Sequence, residues 1–462
     1  MAERNHEHAN DNENERATAA AELGTFVAEL SAADVPDEAL RLAERAILDT
    51  VGVTLAGADT EAATAALAAV GDSSGNATVI GREETLGLTD AVFVNATAGH
   101  ALDFDDVALA AMDGHPSVPM VAPLLAVGER EGASGRDVLT AYAAGFEAQC
   151  YVSRPISPGH YEGGWHATST IGVFGAAAAV ASLLDLTAAE TTHALSVAAS
   201  MPAGLKRNFG STTKPIHAGQ AARSGLTAAL LAAEGATADP TAIGGNRGFA
   251  DLYRGDDDPD FDRFPELGER WALLTDGIDV KKYPCCYYTH AAIYAASELA
   301  REQQLQPEAI DAVDVTASQG AADALHHDDP QTGLEAKFSM PYLLASALVR
   351  RSVGLAAFEA KTIAQPAVQQ VRKRVSLTVD SDLPYDSNEA HVTVRTRSGE
   401  TYERRQERPP GTHEEPLSTT ALHEKFNMCA AHSPEAVDTG TARDALNNVR
   451  IAGNVADVLE LL

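Results

Sequence analysis

Four short segments combine a lysine or a histidine with residues typical of a helix start. They begin at His115, His166, Lys214 and Lys281, and the last of them runs to His290. A helix N-terminus carries partial positive charge and unpaired N–H groups, so a cation placed there favours the binding of an anion. We therefore expect these segments to converge on one polyanionic ligand, such as a small di- or tricarboxylate.

The segment around Lys214 gives the strongest local signal. Pro215 suits the first turn of a helix because it lacks an N–H and its φ is fixed, and the residues at 220–235 are apolar at helical spacing. The pattern predicts that Lys214 lies just outside the helix N-terminus and His217 in its first turn. The alternative is a lysine that points into water. Only eight of the 34 basic residues are lysines, which favours a specific role.

Three carboxylates, Asp103, Asp105 and Asp106, come shortly before His115. A carboxylate beside a histidine can orient the ring and shift its pKa, and it can also act as a general base. If this segment were helical, Asp103 and Asp106 would share a face. A metal site of Asp103, Asp106 and His115 is the alternative, and it is less favoured because the spacing matches no common ligand motif.

Helices are the main elements that must position these residues. Ala-rich stretches with apolar residues at helical spacing fill most of the first 274 residues and return at 417–460. In between, the pattern alternates with period two, which predicts strands at 310–316, 375–379, 390–397 and 401–405. The sequence thus predicts a mainly α protein.

The change of period also predicts the domain organisation. We expect a large all-helical domain at 17–274 plus 406–462, interrupted by a smaller α+β domain at 275–405. Residues 1–16 are polar and lack periodicity, so we expect a disordered tail there.

The composition excludes several classes of partner. With 66 acidic and 34 basic residues the net charge is -32, which argues against binding nucleic acid or an anionic membrane surface. Such a lysine-poor, acidic chain is typical of a high-salt cytoplasm, where salt screens the self-repulsion. No apolar run is long enough for a membrane span and no signal-peptide pattern is present, so we expect a cytoplasmic protein.

Taken together, these motifs resemble those of the MmgE/PrpD family, which includes 2-methylcitrate dehydratases, cis-aconitate decarboxylases and an iminodisuccinate epimerase. Five blocks carry the resemblance, in the family's order and over about residues 20–460. These are Leu102 to Asp106 with His115 to Ser117, Trp165-His166, Thr213 to Gly219, Lys281 to His290, and Ala336 to Tyr342.

The resemblance implies a homodimer whose subunits have a helical domain and a lid, with the site between them and no metal or organic cofactor. The catalytic residues that it implies are Asp103, His115, His166, Lys214, Lys281 and Tyr342. We add three candidates for binding the substrate carboxylates, namely Arg207, His217 and Lys282.

We therefore expect a cofactor-free lyase that acts on a small polycarboxylate, with dehydration of 2-methylcitrate as the first candidate. The decarboxylase pattern has a threonine after the Asp-Phe-Asp-Asp block, whereas this chain has Val107, which cannot hydrogen-bond a substrate carboxylate. Three alternatives remain open. They are a decarboxylase or epimerase on the same scaffold, a metal-dependent hydrolase using Asp103, Asp106 and His115, and a non-catalytic carboxylate-binding protein.

Overall fold

A computed structural model of the chain describes residue 16 and residues 18–262 and 264–462. The chain divides into two compact units. Unit 1 comprises the residues up to Asp279 together with Ala421–Leu462, and unit 2 comprises Val280–Thr420. Unit 2 thus begins and ends later in the chain than the predicted 275–405 domain. The predicted disordered tail lies outside the described residues, except for Arg16, which pairs with Asp251.

Unit 1 is built almost entirely from helices. Its α-helices are 18–29 (α1), Asp37–Gly57 (α2), Glu61–Val70 (α3), Leu88–His100 (α4), Leu109–Met112 (α5), Val118–Glu131 (α6), Gly135–Ser153 (α7), Gly159–Glu162 (α8), Ala167–Thr170 (α9), Gly172–Leu183 (α10), Ala188–Ala198 (α11), Thr213–Ala233 (α12), Phe249–Tyr253 (α13) and Ala272–Thr275 (α14). The last segment of the chain adds Thr419–Ala430, which starts at the unit boundary, Thr439–Leu446 and Ala456–Leu459. Short 3-10 helices lie at Arg154–Ile156, Lys206–Asn208, Phe264–Glu266 and Val449–Ile451, and Ala77–Thr78 (β1) pairs antiparallel with Thr85–Leu86 (β2).

The apolar helix α10 forms the centre of unit 1. It packs against α6, α7, α11 and α12, and its residues from Gly172 to Ala181 are all buried, as expected for a helix that is apolar on every face. Gly225 allows α12 to approach closely, because a Cβ at that position would lie 2.4 Å from Ala176 Cβ. This close contact fixes α12, the helix that carries Lys214 and His217.

Unit 2 combines helices with a four-stranded sheet. Its α-helices are His290–Glu302 (α15), Gln319–Ala324 (α16), Gly333–Ala336 (α17), Met340–Arg350 (α18), Ala360–Ile363 (α19) and Pro366–Arg372 (α20). Short 3-10 helices lie at Tyr287–Thr289, Pro307–Ala309 and Leu355–Phe358, and the strands are Ile310–Ala317 (β3), Val375–Val379 (β4), Ala390–Thr396 (β5) and Thr401–Gln406 (β6). The strand order is β4-β3-β5-β6, with β3 parallel to β4 and the other neighbours antiparallel.

The mainly α prediction and the four predicted strands are confirmed. The sequence pattern also predicts helices at 337–350 and 355–373. The first begins only at Met340, and the second is divided into a 3-10 helix and two short α-helices. The Ser339 hydroxyl accepts the Tyr342 N–H and starts α18 at Met340, and Pro366 begins the separate helix α20. Among the described residues, no helix has both the length and the apolar character needed to cross a membrane.

Candidate active site

The loop that follows α4 sends its three carboxylates in different directions. Asp103 has a φ of 52°, in the left-handed region that Asp adopts more readily than most residues. It faces Lys214, whereas Asp105 faces His100 and His115. Asp106 contacts Ser117. This segment is not helical, so Asp103 and Asp106 do not share a helical face.

Lys214 forms a buried ion pair with Asp103. Its Nζ lies 2.7 Å from Asp103 Oδ1, and each side chain is only 10% exposed. Lys214 was predicted to lie just outside the helix N-terminus. Because α12 starts at Thr213, Lys214 lies inside the first turn instead. Asp103 takes one of the three N–H donors of the ammonium group, and the other two remain for further acceptors.

The backbone at this helix start does not form the predicted anion site. The N–H of Thr213 donates to Ser211 Oγ at 3.3 Å, and the N–H of Lys214 donates to the Ser211 carbonyl at 3.2 Å. The next residue, Pro215, has no N–H. The side chain of Lys214, and not the backbone, is therefore the group that could hold an anion here.

One carboxylate bridges two histidines. Asp105 Oδ2 lies 2.8 Å from His100 Nδ1 and 3.0 Å from His115 Nδ1, and its side chain is fully buried. Burial alone would raise the pKa of Asp105, but the charges and hydrogen bonds of the two histidines outweigh burial and hold this pKa well below its ordinary value. Because the ionised carboxylate only accepts, His100 Nδ1, which is hydrogen-bonded to it, carries hydrogen. His115 Nδ1 faces the same oxygen, so His115 Nε2 is the ring nitrogen that is left for chemistry.

His115 Nε2 lies close to the ion pair described above. Nε2 is 3.8 Å from Asp103 Oδ1. The backbone N–H of His115 donates to Thr168 Oγ1 at 3.0 Å. The ring can thus take up or release a proton at Nε2 while its Nδ1 faces Asp105. The arrangement suits a general acid or base whose ring orientation is fixed.

A second pair of histidines completes the cluster. His166, at the N-terminus of α9, has its Nδ1 3.1 Å from His217 Nδ1, and its ring lies 5.5 Å from that of His100. Burial, followed by the positive charges of neighbouring residues such as Lys214, keeps the pKa of His166 well below its ordinary value. The same causes lower the pKa of the half-buried His217 to about 4. Both rings are therefore neutral at neutral pH.

Asp106 has a structural role in this arrangement. Its carboxyl contacts the Ser117 hydroxyl and accepts the Ser117 N–H at 3.3 Å, and Ser117 Oγ lies 2.6 Å from Tyr142 Oη. Burial, together with the charges of Asp49 and Asp105, raises the pKa of Asp106 well above its ordinary value. Asp106 thereby ties the loop to the start of α6.

Lys425, from the last segment of the chain, holds the same loop from another side. Its buried ammonium lies 2.6 Å from Asp49 Oδ1, donates to the Phe104 carbonyl at 2.7 Å and lies 4.1 Å from the centre of the Phe104 ring. The backbone between Asp103 and Asp105 is thus fixed by residues far apart in sequence.

The metal alternative based on Asp103, Asp106 and His115 is not supported by these positions. Asp103 pairs with Lys214 and Asp106 contacts Ser117. Among the described residues, the group spaced to hold a metal ion is His100, Asp105 and His115, whose ligand atoms lie within 4.8 Å of one another.

The four remaining predicted residues are divided between the two units. Arg207 is exposed in a 3-10 helix of unit 1. Lys281, Lys282 and Tyr342 belong to unit 2, where Lys281 is buried and Lys282 lies over aromatic rings. The Tyr342 hydroxyl donates to the Ala357 carbonyl. The roles of these four residues remain predictions.

Sequence reasoning missed His100, and it named Asp103 and Asp106 but not Asp105 as candidate residues of the site. His100 ends an apolar helix and belongs to none of the four cation-bearing segments. The only signal in the sequence was that His100 lies five residues before Asp105. This spacing brings the two side chains together because the loop after α4 turns back towards the end of that helix.

Two family models match this chain, one in each half. The model of the MmgE/PrpD N-terminal domain matches residues 21–262, and that of the MmgE/PrpD C-terminal domain matches residues 283–448. The cis-aconitate decarboxylase of Mus musculus is 28% identical over 414 residues, covering 86% of this chain and 83% of that protein. The human cis-aconitate decarboxylase is 28% identical over 425 residues, covering 88% and 87%.

A fungal relative extends this similarity over nearly the whole chain. The cis-aconitate decarboxylase of Aspergillus terreus strain NIH 2624 is 24% identical over 479 residues, covering 97% of this chain and 96% of that protein. Because the two domain models match most of the sequence in the expected order, the chain belongs to the MmgE/PrpD family.

Proposed function

We propose that this protein is a lyase that acts on a small di- or tricarboxylate by acid–base chemistry without a metal or organic cofactor, and that decarboxylation of cis-aconitate is its first candidate reaction. The observation that carries the proposal is the position of His115, held by Asp105 through Nδ1 while its Nε2 faces the Asp103–Lys214 pair. The names of the relatives support the choice of cis-aconitate.

The buried ion pair is compatible with an anionic substrate. Asp103 neutralises Lys214, so the empty site does not hold an uncompensated buried charge. A substrate carboxylate can still accept from the remaining N–H groups of Lys214. Arg207, His217, Lys281 and Lys282 are the further groups that we propose for the other carboxylates.

Decarboxylation requires one proton from the protein. The C–C bond to the leaving carboxylate breaks and releases CO2, its electron pair forms a new double bond with the adjacent carbon, and the former alkene carbon takes a proton, which gives itaconate. We assign this proton to His115 Nε2, because Asp105 stabilises the imidazolium form of that ring. Lys214 would stabilise negative charge that develops on a retained carboxylate.

Dehydration of 2-methylcitrate is the second candidate, and Val107 favours it. Val107 is buried, and it offers no hydroxyl where the decarboxylase pattern has threonine. In this reaction a base removes a proton α to a carboxylate, and an acid protonates the departing hydroxyl. The neutral His166 would be the base, and His115, whose ring faces the Asp105 carboxylate, would be the acid.

The decisive experiment offers cis-aconitate, 2-methylcitrate and citrate separately to the purified protein, in concentrated KCl with EDTA present. Products are identified by NMR. Itaconate from cis-aconitate would establish the decarboxylase, and an alkene from 2-methylcitrate would establish the dehydratase. Activity that disappears with EDTA and returns with a metal would contradict acid–base chemistry without a metal. Absence of turnover on all three would reject both candidates and direct the search to epimerisable amino- or imino-dicarboxylates.

The Val107→Thr variant separates the two candidates further. A hydroxyl at this position should raise turnover of cis-aconitate relative to 2-methylcitrate if residue 107 contacts a substrate carboxylate. Val107→Ala is the matched control, because it changes the volume without adding a hydrogen-bonding group. An unchanged ratio of the two activities in Val107→Thr would show that residue 107 does not select the reaction.

A further inference from the structure

The side chain of His100 has no exposed surface. It is the last residue of α4, its side chain is 0% exposed, and its Nδ1 contact with Asp105 is the polar contact that the structure gives it. Its Nε2 is buried and has no hydrogen-bond partner among the described residues. We therefore expect any effect of this ring on the reaction to pass through the residues that it contacts, Asp105 first among them.

Asp105 needs a second donor to keep its orientation. Both histidine contacts are made by the same oxygen, Oδ2, while Oδ1 has no hydrogen-bond partner among the described side chains and backbone. A carboxylate held only by His115 could rotate about its Cβ–Cγ bond, and the His115 ring would follow it. The His100 Nδ1–H, 2.8 Å from Oδ2, opposes that rotation.

The ring packing adds a second constraint. The His100 ring meets the His115 ring edge to face, with centroids 4.5 Å apart and an interplanar angle of 77°, and it stacks on His166 at 5.5 Å and 23°. His100 therefore contacts both histidines to which the two candidate reactions assign proton transfer.

We propose that His100 is a positioning residue for the lyase site, which fixes Asp105 through its Nδ1–H and thereby fixes the direction of His115 Nε2. The proposal rests on the function proposed above for its kinetic readout, but the orientation itself can be measured without a substrate. The proposed role requires a hydrogen-bond donor at the position of His100 Nδ1, and it requires no polar group at the position of His100 Nε2.

Two isosteric variants test this requirement. In His100→Asn the side-chain amide nitrogen can take the place of Nδ1, whereas in His100→Gln the amide lies near the place of Nε2. We expect His100→Gln and His100→Leu to lower kcat by on the order of a hundredfold with little change in KM, because misalignment of a proton-transfer group affects the transition state more than binding. His100→Asn should retain most of the wild-type kcat. His193→Asn, on α11, is the control for loss of a histidine outside the cluster.

A second readout uses the Nδ1 proton of His115 in the free protein, observed by NMR with labelled histidine. It should be protected from exchange in the wild type and in His100→Asn, and lost in His100→Gln. If the wild type turns over a substrate and His100→Gln keeps the wild-type kcat, the inference is overturned while the proposed function stands. If no substrate is turned over, the proposed function fails, and the NMR signal alone decides: a His115 proton that persists in His100→Gln overturns the inference. Should His100→Leu fail to fold, the Asn and Gln pair still gives the answer.

Discussion

Lys214 Nζ lies 2.7 Å from Asp103 Oδ1 in a buried pair, so the strongest sequence candidate for an anion-binding lysine is already neutralised by a carboxylate. The two residues are 111 positions apart in the chain. Their pairing means that neither can be replaced without leaving the other as an uncompensated buried charge.

The first prediction concerns this ion pair. Lys214→Ala should lower kcat/KM by about a thousandfold or more, because it removes a group that stabilises developing negative charge, and it should also lower the melting temperature. The double variant Lys214→Met with Asp103→Asn should recover the melting temperature but not the activity. Lys361→Ala, which removes an exposed lysine in unit 2, is the control. Normal turnover in Lys214→Ala would remove Lys214 from the mechanism.

The second prediction concerns His115 and His166. His115→Ala should abolish both candidate reactions, whereas His166→Ala should impair dehydration much more than decarboxylation, since only dehydration needs a base in addition to an acid. Turnover of each substrate by the two variants, measured side by side, checks this difference. A purified His115→Ala protein with near-normal activity would contradict the assigned role.

The third prediction concerns Lys425 and Asp49. Lys425→Met should lower the free energy of unfolding by about 3–5 kcal/mol, because it leaves Asp49 buried and unpaired. Adding Asp49→Leu should restore most of that loss. Denaturant unfolding at constant salt measures both effects. Equal stability of Lys425→Met and the wild type would show that the pair does not hold the loop.

The fourth prediction concerns stability in acid. His160 Nδ1 donates to the Tyr253 carbonyl at 2.6 Å, its Nε2 lies 2.6 Å from Thr170 Oγ1, and burial lowers the pKa of His160 from 6.5 to about 4. Between these two pH values the unfolded state binds a proton that the folded state does not. The free energy of unfolding should therefore fall as the pH drops from 6.5 towards 4, by at most about 3 kcal/mol from this residue.

His160→Asn keeps a donor near the position of Nδ1 but does not titrate in this range. Its stability should depend less on pH than that of the wild type over the same interval, while the many surface carboxylates contribute equally to both proteins. Urea unfolding of both proteins at a series of pH values compares the two slopes. Identical slopes would show that His160 titrates normally in the folded state.

The fifth prediction concerns salt. With a net charge of -32, the folded protein should be markedly more stable in about 3 M KCl than in about 0.1 M KCl, because the Debye length falls to about 3 Å or less and self-repulsion is screened. Melting temperatures in KCl, with sucrose as an uncharged control, test this expectation. A melting temperature that does not change with KCl would contradict the interpretation of the composition.

The secondary structure was largely accessible from the sequence, because it follows local periodicity. Alternation in Ile310–Ala317 and Ala390–Thr396 reflects the two faces of a sheet, and the uniformly apolar α10 reflects burial on all sides. The pattern did not predict that Ser339 sets the start of α18 or that Pro366 begins a separate helix. Apolar periodicity is averaged over many residues, so it does not reveal the effect of a single capping residue or proline.

The sequence by itself determined which residue types were present for chemistry: the carboxylates before His115, the histidines at 166 and 217, and Lys214. Only the tertiary structure decided their partners, and it did so through contacts between distant segments. It assigned Asp103 to Lys214, gave Asp105 to His100 and His115, and turned Asp106 towards Ser117. Local pattern cannot supply these pairings, because the direction of each carboxylate depends on a left-handed turn at Asp103 and on an anchor, Lys425, that lies more than 300 residues further along the chain.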